Sequence, residues 1–409
     1  MKAHLSHTPS LKKHAQIILG GSKSESNRLL ILQALFSNIA ISNLSTSDDS
    51  KALMEALAGD KNLVDVHHAG TAMRFLAAYF ATQAGREVTL TGSERMQQRP
   101  IGMLVDALRS MGADIEYQKN EGFPPLLIKG KNLTIKEVTI AADVSSQFIS
   151  ALMLVAPSLP QGLVIHLDGN VTSAPYLKMT YQLLKQLGFE GNFSRNMICI
   201  LPGTISEKKH IRVESDWSSV SYLYSLVALS QSGLLSVSTF EKDSLQGDVV
   251  LSSLYNAFGV ETVFNKDDGI TLQKISEAIT NHVEFDLVNT PDIAQTIAVT
   301  CFGLGFSCHL TGLHTLKIKE TDRLHALKIE LEKLGANVNI TEDSLSLEKS
   351  VGIKMGVAID TYQDHRMAMA FAPLALKSSL LINDAEVVSK SFPEFWDVLI
   401  DLGILIKVK

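Results

Sequence analysis

Short polar clusters, each followed by an apolar run of helical periodicity, recur along the chain. Each cluster contains Ser, Thr, Asp or Gly, residue types that commonly stand at helix N-termini. The run behind each cluster is rich in Leu, Ala, Met and Phe, as in a helix that is buried on most sides. The pattern predicts six helices that start near Lys23, Ala69, Ser145, Ser218, Pro291 and Asp364.

The later starts are evenly spaced. Markers at Gly70, Ser145, Ser218, Pro291 and Asp364 are separated by 75, 73, 73 and 73 residues, whereas the first step, from position 24, is 46 residues. A fixed period of this length is typical of a chain built from repeated supersecondary units. Six small units are therefore predicted.

A second series of helical stretches interleaves with the first. Each stretch ends in a glycine and is followed by a β-like alternating run; the glycines are Gly112, Gly188, Gly259, Gly335 and Gly403. Glycine just past a helix can take the left-handed cap conformation, and the alternating run predicts a strand. Each unit is thus predicted to contain strand, helix, strand, helix and further strands, which indicates a layer of sheet and helices.

Six units divide most simply into two lobes of three. Polar, turn-prone segments near residues 20–22 and 202–216 are the predicted hinges. We expect residues 1–20 to pack with residues 215–409 as one discontinuous lobe, and residues 21–214 to form the other. Two lobes joined by two such hinges can close around a ligand.

Composition excludes several functional classes. The 409 residues are 45% hydrophobic, and 37 Lys and Arg against 43 Asp and Glu give a net charge of −6. Such a chain lacks the global positive field that nonspecific nucleic-acid binding needs, so nucleic acid is not an expected partner. No apolar run approaches the roughly 20 residues of a membrane helix. Neither membrane insertion nor a secretory signal is expected.

The three cysteines, Cys199, Cys301 and Cys308, lie in apolar surroundings and form no CxxC pair. They are predicted to be buried thiols in a reducing compartment rather than disulfide partners or zinc ligands. We therefore expect a cytoplasmic protein without a metal site.

Cations cluster around the predicted helix starts. Helix N-termini carry about half a unit of positive charge and free N–H groups, so several of them meeting in one place would bind an anion. The cations near these starts are Lys23, Arg28, Arg74, Arg99, Lys319, Arg323, Arg366 and Lys390. Because the chain as a whole is acidic, any anionic ligand must be held by such local groups.

Each motif also has a purely structural explanation. Serine caps account for the start near Lys23, tight packing accounts for Gly70, and a surface ion pair accounts for Arg99. In KETDR, Glu320 and Arg323 stand at a spacing that gives ordinary helix charge pairs, and Asp292 can simply cap its helix. The constellation of motifs, rather than any single member, indicates an anion-binding site.

Taken together and in this order, the motifs resemble those of the 5-enolpyruvylshikimate-3-phosphate synthase family. The matching strings are GSKSESNR from Gly21, AGTAMR from Ala69, RMQQRPIG from Arg95, SSQF from Ser145, SAPY from Ser173, PDIAQT from Pro291, KETDR from Lys319, DHRMAMAF from Asp364 and KSFPEFW from Lys390. The resemblance implies an α/β (α+β) fold: a two-lobed inside-out α/β barrel, with three βαβαββ repeats around a pseudo-threefold axis in each lobe.

The resemblance also implies the reaction. The family transfers the enolpyruvyl group of phosphoenolpyruvate to the 5-hydroxyl of shikimate 3-phosphate and releases phosphate. Addition followed by elimination, through a tetrahedral ketal, serves the shikimate pathway of chorismate and aromatic amino acid biosynthesis. No metal or organic cofactor is implied, the expected partners are the two small-molecule substrates, and a monomer is expected.

Site residues are implied in the same way. Shikimate 3-phosphate would contact Lys23, Ser24, Arg28, Ser145, Ser146, Gln147, Ser173, Asp292 and Lys319. Phosphoenolpyruvate would contact Lys23, Gly70, Arg99, Gln147, Arg323, Arg366 and Lys390. Asp292 and Glu320 would form the proton-transfer pair, with Lys23 as an acid or electrostatic partner.

The chain departs from the family pattern at three positions. It has Gly20 where proline often precedes GSKS, His68 where Asn or Asp usually precedes Ala-Gly-Thr, and Thr315 where Asn is frequent. These differences bear on individual substrate contacts rather than on the reaction.

Two alternatives remain at this stage. The sister enzyme that transfers enolpyruvyl to UDP-N-acetylglucosamine usually has a Cys or Asp on the loop where this chain has RMQQRPIG, which contains neither. An inactive anion-binding paralogue is the other alternative. The joint presence of Lys23, Asp292, Glu320, Arg323 and Lys390 argues against it.

Overall fold

The computed structural model describes residues 1–12, 15–143, 145–169, 171–266, 268–275 and 280–409. The chain divides into two compact units. One, here the terminal unit, comprises Met1–Gly20 and Glu214–Lys409; the other, the inserted unit, comprises Gly21–Val213. Among the described residues, no helix has the length and apolar character required to cross a membrane.

The helices of the inserted unit are α1 (Lys23–Leu35), α2 (Asp48–Ala58), α3 (Gly70–Ala81), α4 (Gly102–Ser110), α5 (Ser146–Val155) and α6 (Ala174–Leu187). Those of the terminal unit are α7 (Trp217–Leu229), α8 (Leu251–Leu254), α9 (Ala294–Leu304), α10 (Arg323–Lys333), α11 (His365–Phe371) and α12 (Phe395–Asp401). All six predicted helix starts are confirmed to within three residues.

The strands alternate with these helices. They are β1 (Ala3–Leu5), β2 (Ala15–Ile17), β3 (Ile39–Ser42), β4 (Leu63–Asp65), β5 (Glu87–Thr91), β6 (Asp114–Tyr117), β7 (Leu126–Lys129), β8 (Glu137–Ala141), β9 (Leu163–Asp168), β10 (Gly191–Phe193) and β11 (Met197–Ile200). They continue with β12 (Lys209–Arg212), β13 (Leu234–Val237), β14 (Val260–Phe264), β15 (Ile270–Lys274), β16 (His282–Asp286), β17 (Ser307–Thr311), β18 (Val338–Ile340), β19 (Leu345–Leu347), β20 (Val357–Ile359), β21 (Leu380–Ile382) and β22 (Ile406–Val408).

The glycines predicted to end helices all have positive φ. The φ values are 98° at Gly112, 97° at Gly188, 74° at Gly259, 104° at Gly335 and 97° at Gly403. A side chain would be strained in this left-handed region, whereas glycine enters it freely. The prediction that these glycines cap helices is confirmed.

The sheets repeat one topology. In the order β4-β5-β7-β6, the first two strands are parallel and the remaining neighbours are antiparallel. The same order recurs in β8-β9-β11-β10, β2-β13-β15-β14 and β16-β17-β19-β18. Within the described residues the first repeat is shorter, because β3 pairs only with β12. Among the described residues the first repeat lacks the antiparallel hairpin of the other repeats, which explains why the first step of the sequence period is 46 residues rather than about 73.

Chain segments distant in sequence complete three of the sheets. Strand β2 runs parallel to β13 in the terminal unit, and β12 runs parallel to β3 in the inserted unit. Strand β1 lies between β21 and β22 and thereby fills the third position of the last sheet, in the order β20-β21-β1-β22. The N-terminal strand β1 is therefore held by backbone hydrogen bonds to two strands near the C-terminus.

Three helices form the centre of each unit. In the inserted unit α1, α3 and α5 pack pairwise, and in the terminal unit α7, α9 and α11 do the same. Every residue of α3 and α11 is buried, and so is every residue of α7 except Ser218, which is why these segments are mostly apolar on all sides. Because the central helices begin at the predicted polar clusters, their N-terminal residues meet within each unit.

Candidate active site

The start of α1 presents the first predicted site residues of the inserted unit. Ser22 is the N-cap and accepts a 3.5 Å hydrogen bond from the N–H of Glu25. Lys23 and Ser24 follow on the first turn and are half-buried. The Lys23 Nζ lies 3.7 Å from Oδ2 of Asp49, a carboxylate on α2 that the sequence analysis did not identify.

Arg28 lies one turn further into the same helix and is 2% exposed. Its Nε donates to Thr180 Oγ1 at 2.7 Å, and its Nη2 donates to Ser150 Oγ at 3.1 Å. Its Nη1 donates to the Ser24 carbonyl at 2.8 Å. Burial lowers the pKa of Arg28 to about 10 although Tyr176 and Glu25 oppose this shift. The guanidinium therefore joins α1 to α5 and α6.

Gly70 and Arg99 are in contact. Gly70 is the first residue of α3, and a Cβ built there would lie 2.5 Å from Arg99 Nη1. The guanidinium therefore occupies the space that the missing side chain leaves open. The loop that carries Arg99 is held by Arg74, whose Nη2 donates to the Pro100 carbonyl at 2.9 Å and whose Nη1 donates to the Gly70 carbonyl at 3.2 Å.

The start of α5 lies beside the start of α3. Gln147 Nε2 donates to Thr71 Oγ1 at 3.3 Å, which brings a predicted site residue next to Gly70. Ser145 is the N-cap of α5 and Ser146 is its first residue. Ser173, the N-cap of α6, has φ 54° and is nearly buried. Apart from Arg28, one turn into α1, and Arg99, in the loop before α4, the predicted residues of this unit therefore stand at the N-termini of α1, α3, α5 and α6.

A network of buried charges occupies the corresponding place in the terminal unit. Arg323, 2% exposed, contacts three carboxylates. Its Nε donates to Asp364 Oδ2 at 2.6 Å, its Nη1 to Asp292 Oδ1 at 2.9 Å and its Nη2 to Glu320 Oε2 at 2.7 Å. The structure thus brings the predicted residues Asp292, Glu320 and Arg323 into direct contact.

Two further predicted cations surround Asp292. Arg366 Nη2 lies 3.3 Å from Asp292 Oδ2, and its Nη1 donates to the Asp292 carbonyl at 2.9 Å. Lys319 Nζ lies 3.9 Å from Asp292 Oδ1. Burial raises the pKa of Asp292, but Arg366, Lys319 and Arg323 outweigh it and hold the pKa well below its usual range. These three cations therefore favour the ionised form of Asp292.

The same charges act on Lys319. Asp292 raises the pKa of Lys319, whereas burial and the positive charges of Arg323 and Arg366 lower it, and the net shift is downward. Lys390 lies further along the chain, and its Nζ donates to the Gln363 carbonyl at 2.7 Å. Lys390 is therefore joined to the charge network through the segment that leads into α11.

Besides Asp49, sequence reasoning missed the buried carboxylates of Asp364 and Asp248. Asp364 is fully buried and caps α11 by accepting from the Arg366 N–H at 2.9 Å; its motif was noted but its own role was not. Asp248 accepts from Ser218 Oγ at 2.5 Å. Burial and then the charge of Asp292 raise its pKa to about 7. The one sequence signal for Asp248 is that it stands in the apolar segment GDVVL, which suggests a buried carboxylate.

These two groups of side chains have different chemical capacities. The N-terminal group of the inserted unit offers hydroxyls, an amide, an ammonium and guanidinium groups, which can bind an anion and form hydrogen bonds with a polar ligand. The terminal unit combines two arginines and a lysine with ionisable carboxylates, which can bind an anion and move protons. No cluster of His, Cys, Asp and Glu able to hold a metal ion occurs among the residues that the structure describes.

Comparisons with known proteins agree with this chemistry. The sequence profile of the family described as EPSP synthase (3-phosphoshikimate 1-carboxyvinyltransferase) matches residues 57–399. A 3-phosphoshikimate 1-carboxyvinyltransferase of Bacteroides fragilis (strain YCH46) is 42% identical over 99% of both chains. One from Sulfurovum sp. (strain NBC37-1) is 38% identical over 94% of this chain and 95% of the relative.

The fold is shared with a solved EPSP synthase from Acinetobacter baumannii. The TM-score is 0.79 at 20% identity, over 100% of this chain and 99% of that one. This likeness supports the α/β fold class expected from the sequence. With the profile match and the full-length relatives, we conclude that the chain belongs to the EPSP synthase (3-phosphoshikimate 1-carboxyvinyltransferase) family.

Proposed function

We propose that the protein transfers the enolpyruvyl group of phosphoenolpyruvate to the 5-hydroxyl of shikimate 3-phosphate and releases phosphate. The observation that carries this conclusion is the contact network in which Arg323 joins Asp292 and Glu320, in a chain that belongs to this family. The reaction needs cations for two anionic substrates and groups that give and take protons. The network contains both kinds of group.

The proposed substrate contacts are those that the resemblance to the family implies. We assign shikimate 3-phosphate to Lys23, Ser24, Arg28, Ser145, Ser146, Gln147, Ser173, Asp292 and Lys319. We assign phosphoenolpyruvate to Lys23, Gly70, Arg99, Gln147, Arg323, Arg366 and Lys390. Arg28 takes part through its charge and through the helices that it joins, because its donors already bind the protein. A monomer with lobes 1–20 plus 215–409 and 21–214 remains part of the proposal, as does a location in the cytoplasm.

Asp292 is proposed as a proton-transfer group whose strength depends on the substrates. In the free protein the cations around it make it a weak base, because their charge depresses its pKa. A phosphate or carboxylate group that bound Arg366 and Lys319 would offset this charge. The pKa of Asp292 would then rise towards the range in which a carboxylate accepts a proton effectively.

Glu320 is the proposed second proton-transfer group, and Lys23 is its acid or electrostatic partner. Glu320 holds Arg323 through one oxygen and is 23% exposed, so it is reachable from solvent. Lys23 is 20% exposed at the start of α1. Both groups are thus fixed by protein contacts without being closed off from a ligand.

Phosphate release with both substrates tests the proposed function. We expect release with phosphoenolpyruvate and shikimate 3-phosphate, and none when UDP-N-acetylglucosamine replaces the latter. Release with the nucleotide sugar alone would assign the protein to the sister activity. A folded protein that released phosphate with neither acceptor would be the inactive anion-binding paralogue.

A second experiment tests the role of Glu320. We expect Glu320→Gln to lower turnover by about 10² or more, as loss of a general acid or base does. Glu332→Gln is the matched control, since Glu332 lies on α10, the helix that follows Glu320, and pairs with Lys328 near the surface. A folded Glu320→Gln protein with the turnover of this control would remove Glu320 from the mechanism.

A further inference from the structure

A left-handed bend of the backbone precedes α11. Tyr362 and Gln363 have φ values of 52° and 57°, and neither is a glycine. Two consecutive residues with side chains in this region are unfavourable, because Cβ approaches the following carbonyl. Such strain persists only where surrounding contacts over-determine the conformation. The contacts that hold this bend therefore indicate what it is for.

The bend orients three groups of the charge network. The Gln363 carbonyl accepts from Lys390 Nζ at 2.7 Å. Asp364, the next residue, donates its N–H to the Thr361 carbonyl at 2.8 Å and binds Arg323 through its carboxylate. Arg366 follows at the start of α11. A change in the bend would displace Lys390, Asp364 and Arg366 together.

One buried carboxylate accepts hydrogen bonds from a residue before the bend and from a residue within it. Glu330, on α10, is fully buried. Its Oε1 accepts from the Tyr362 hydroxyl at 2.6 Å, and its Oε2 accepts from the Asp360 N–H at 3.1 Å. Burial, and then the hydrogen bond to Glu330, raise the pKa of Tyr362, so the phenol remains a donor at ordinary pH.

A second set of contacts fixes the carboxylate itself. Lys333 Nζ lies 2.8 Å from Glu330 Oε1 and 2.7 Å from Asp360 Oδ2. Asn383 Nδ2 donates to Asp360 Oδ1 at 2.7 Å. The buried charge of Glu330 is thus balanced, and its acceptor oxygens are aimed at the bend.

We propose that Glu330 and Tyr362 are positioning residues that hold the bend at residues 361–363 and thereby place Arg366 and Lys390 for phosphoenolpyruvate. The assignment rests on the proposed function, because it takes these two cations as phosphoenolpyruvate contacts. Neither Glu330 nor Tyr362 needs to touch a substrate. They act through the backbone that carries the cations, and their loss weakens binding of one substrate more than the other.

Gln363 offers a test that leaves side-chain packing almost unchanged, because its side chain is exposed. Valine resists positive φ, whereas glycine adopts it freely. We expect Gln363→Val to raise the KM for phosphoenolpyruvate about tenfold. We expect Gln363→Gly to raise the same KM by no more than about twofold. Equal effects of Val and Gly would overturn the role of the bend.

Tyr362→Phe tests the hydrogen bond between Tyr362 and Glu330 by removing the donor hydroxyl. We expect it to raise the KM for phosphoenolpyruvate at least fivefold and the KM for shikimate 3-phosphate less than twofold. Glu330→Gln should act in the same direction, since an NH2 group, which cannot accept, replaces one of the two oxygens that Tyr362 and Asp360 contact. Tyr181→Phe is the matched control, because Tyr181 is also half-buried and its hydroxyl donates to the Gly191 carbonyl at 2.8 Å in the other unit. Parallel changes in both KM values, or the same result with Tyr181→Phe, would refute the positioning role.

Hydrogen exchange separates this inference from the proposed function. Amide protection in residues 364–371 should fall in Tyr362→Phe and Gln363→Val, and remain at the parent level in Gln363→Gly and Tyr181→Phe. If the parent releases no phosphate from the two substrates, the proposed function fails while exchange still tests the bend. If amide protection in residues 364–371 were unchanged in Tyr362→Phe, the Tyr362–Glu330 hydrogen bond would not hold the bend, whatever the activity of the parent.

Discussion

Two fully buried arginines, one in each unit, are held in opposite ways. Arg28 and Arg323 are each 2% exposed. Arg28 donates to neutral oxygens of hydroxyls and carbonyls, and the rings of Phe75 and Tyr176 lie 5.4 and 5.8 Å from its Cζ. Arg323 binds three carboxylates. The pKa values follow: burial lowers that of Arg28, whereas around Arg323 Asp364, Glu320 and Asp292 outweigh burial and raise it.

The difference shows that equal burial does not mean an equal role. The charge of Arg28 has polar but uncharged acceptors, so its field can act on an anion bound at the N-terminus of α1. The charge of Arg323 is already offset, so its main effect is to fix the positions of the three carboxylates around it. Arg28 is therefore a cation held by neutral acceptors, and Arg323 is the centre of a cluster of carboxylates.

Removal of Arg323 is the strongest test of this contrast. Arg323→Met leaves Asp292, Glu320 and Asp364 close together without their shared partner. We expect a loss of about 3–5 kcal/mol in unfolding free energy, as for other buried ion pairs that lose one member. Urea unfolding measures it, with Arg195→Met at an exposed position as the control. A loss as small as that of the control would contradict the assignment of Arg323 as the centre of the cluster.

The pH dependence of stability tests the buried carboxylate Asp248 in the terminal unit. Asp248 has a pKa of about 7 in the folded protein and about 3.9 when unfolded. The folded state binds more protons between these values, so the stability that protonated Asp248 contributes below pH 4 is lost as pH rises to about 7. Asparagine does not titrate. We expect Asp248→Asn to gain about 2–3 kcal/mol relative to the parent between pH 5 and pH 8.

Unfolding curves at the two pH values measure this gain. Asp243→Asn serves as the control, because Asp243 is an exposed acid in the same segment. A parent and an Asp248→Asn variant that differed equally at pH 5 and pH 8 would show that Asp248 is ionised throughout this range.

Removal of Arg28 should cost less than removal of Arg323. Arg28→Met keeps most of the side-chain volume and leaves the Thr180 and Ser150 hydroxyls, which already hydrogen-bond each other at 3.1 Å. The variant also avoids burying a charge. We expect a loss of about 1–2 kcal/mol in unfolding free energy, again compared with Arg195→Met. A loss equal to that of Arg323→Met would erase the contrast between the two arginines.

The two arginines also mark the limit of prediction from sequence. The helix starts and the glycine caps were predictable because their signals are local: a polar cap, an apolar run and a glycine that alone enters positive φ freely. The partners of the arginines are not local. Arg28 meets Thr180 across 152 residues, and Arg323 meets Asp364 across 41. Sequence motifs identified these cations but did not show which acceptors would neutralise them.

The smallest expected effect concerns a single neutral acceptor of Arg28. Ser150→Ala removes the Oγ that Arg28 Nη2 contacts at 3.1 Å and leaves that nitrogen the Tyr176 carbonyl at 3.4 Å. We expect a loss of about 1 kcal/mol in unfolding free energy, whereas Ser158→Ala, at an exposed position near the end of α5, should change it by less than about 0.5 kcal/mol. If several weak contacts together hold Arg28, no one of them should be indispensable. A loss from Ser150→Ala as large as that from Arg28→Met would mean that this one hydroxyl, rather than the neutral shell as a whole, stabilises the buried charge.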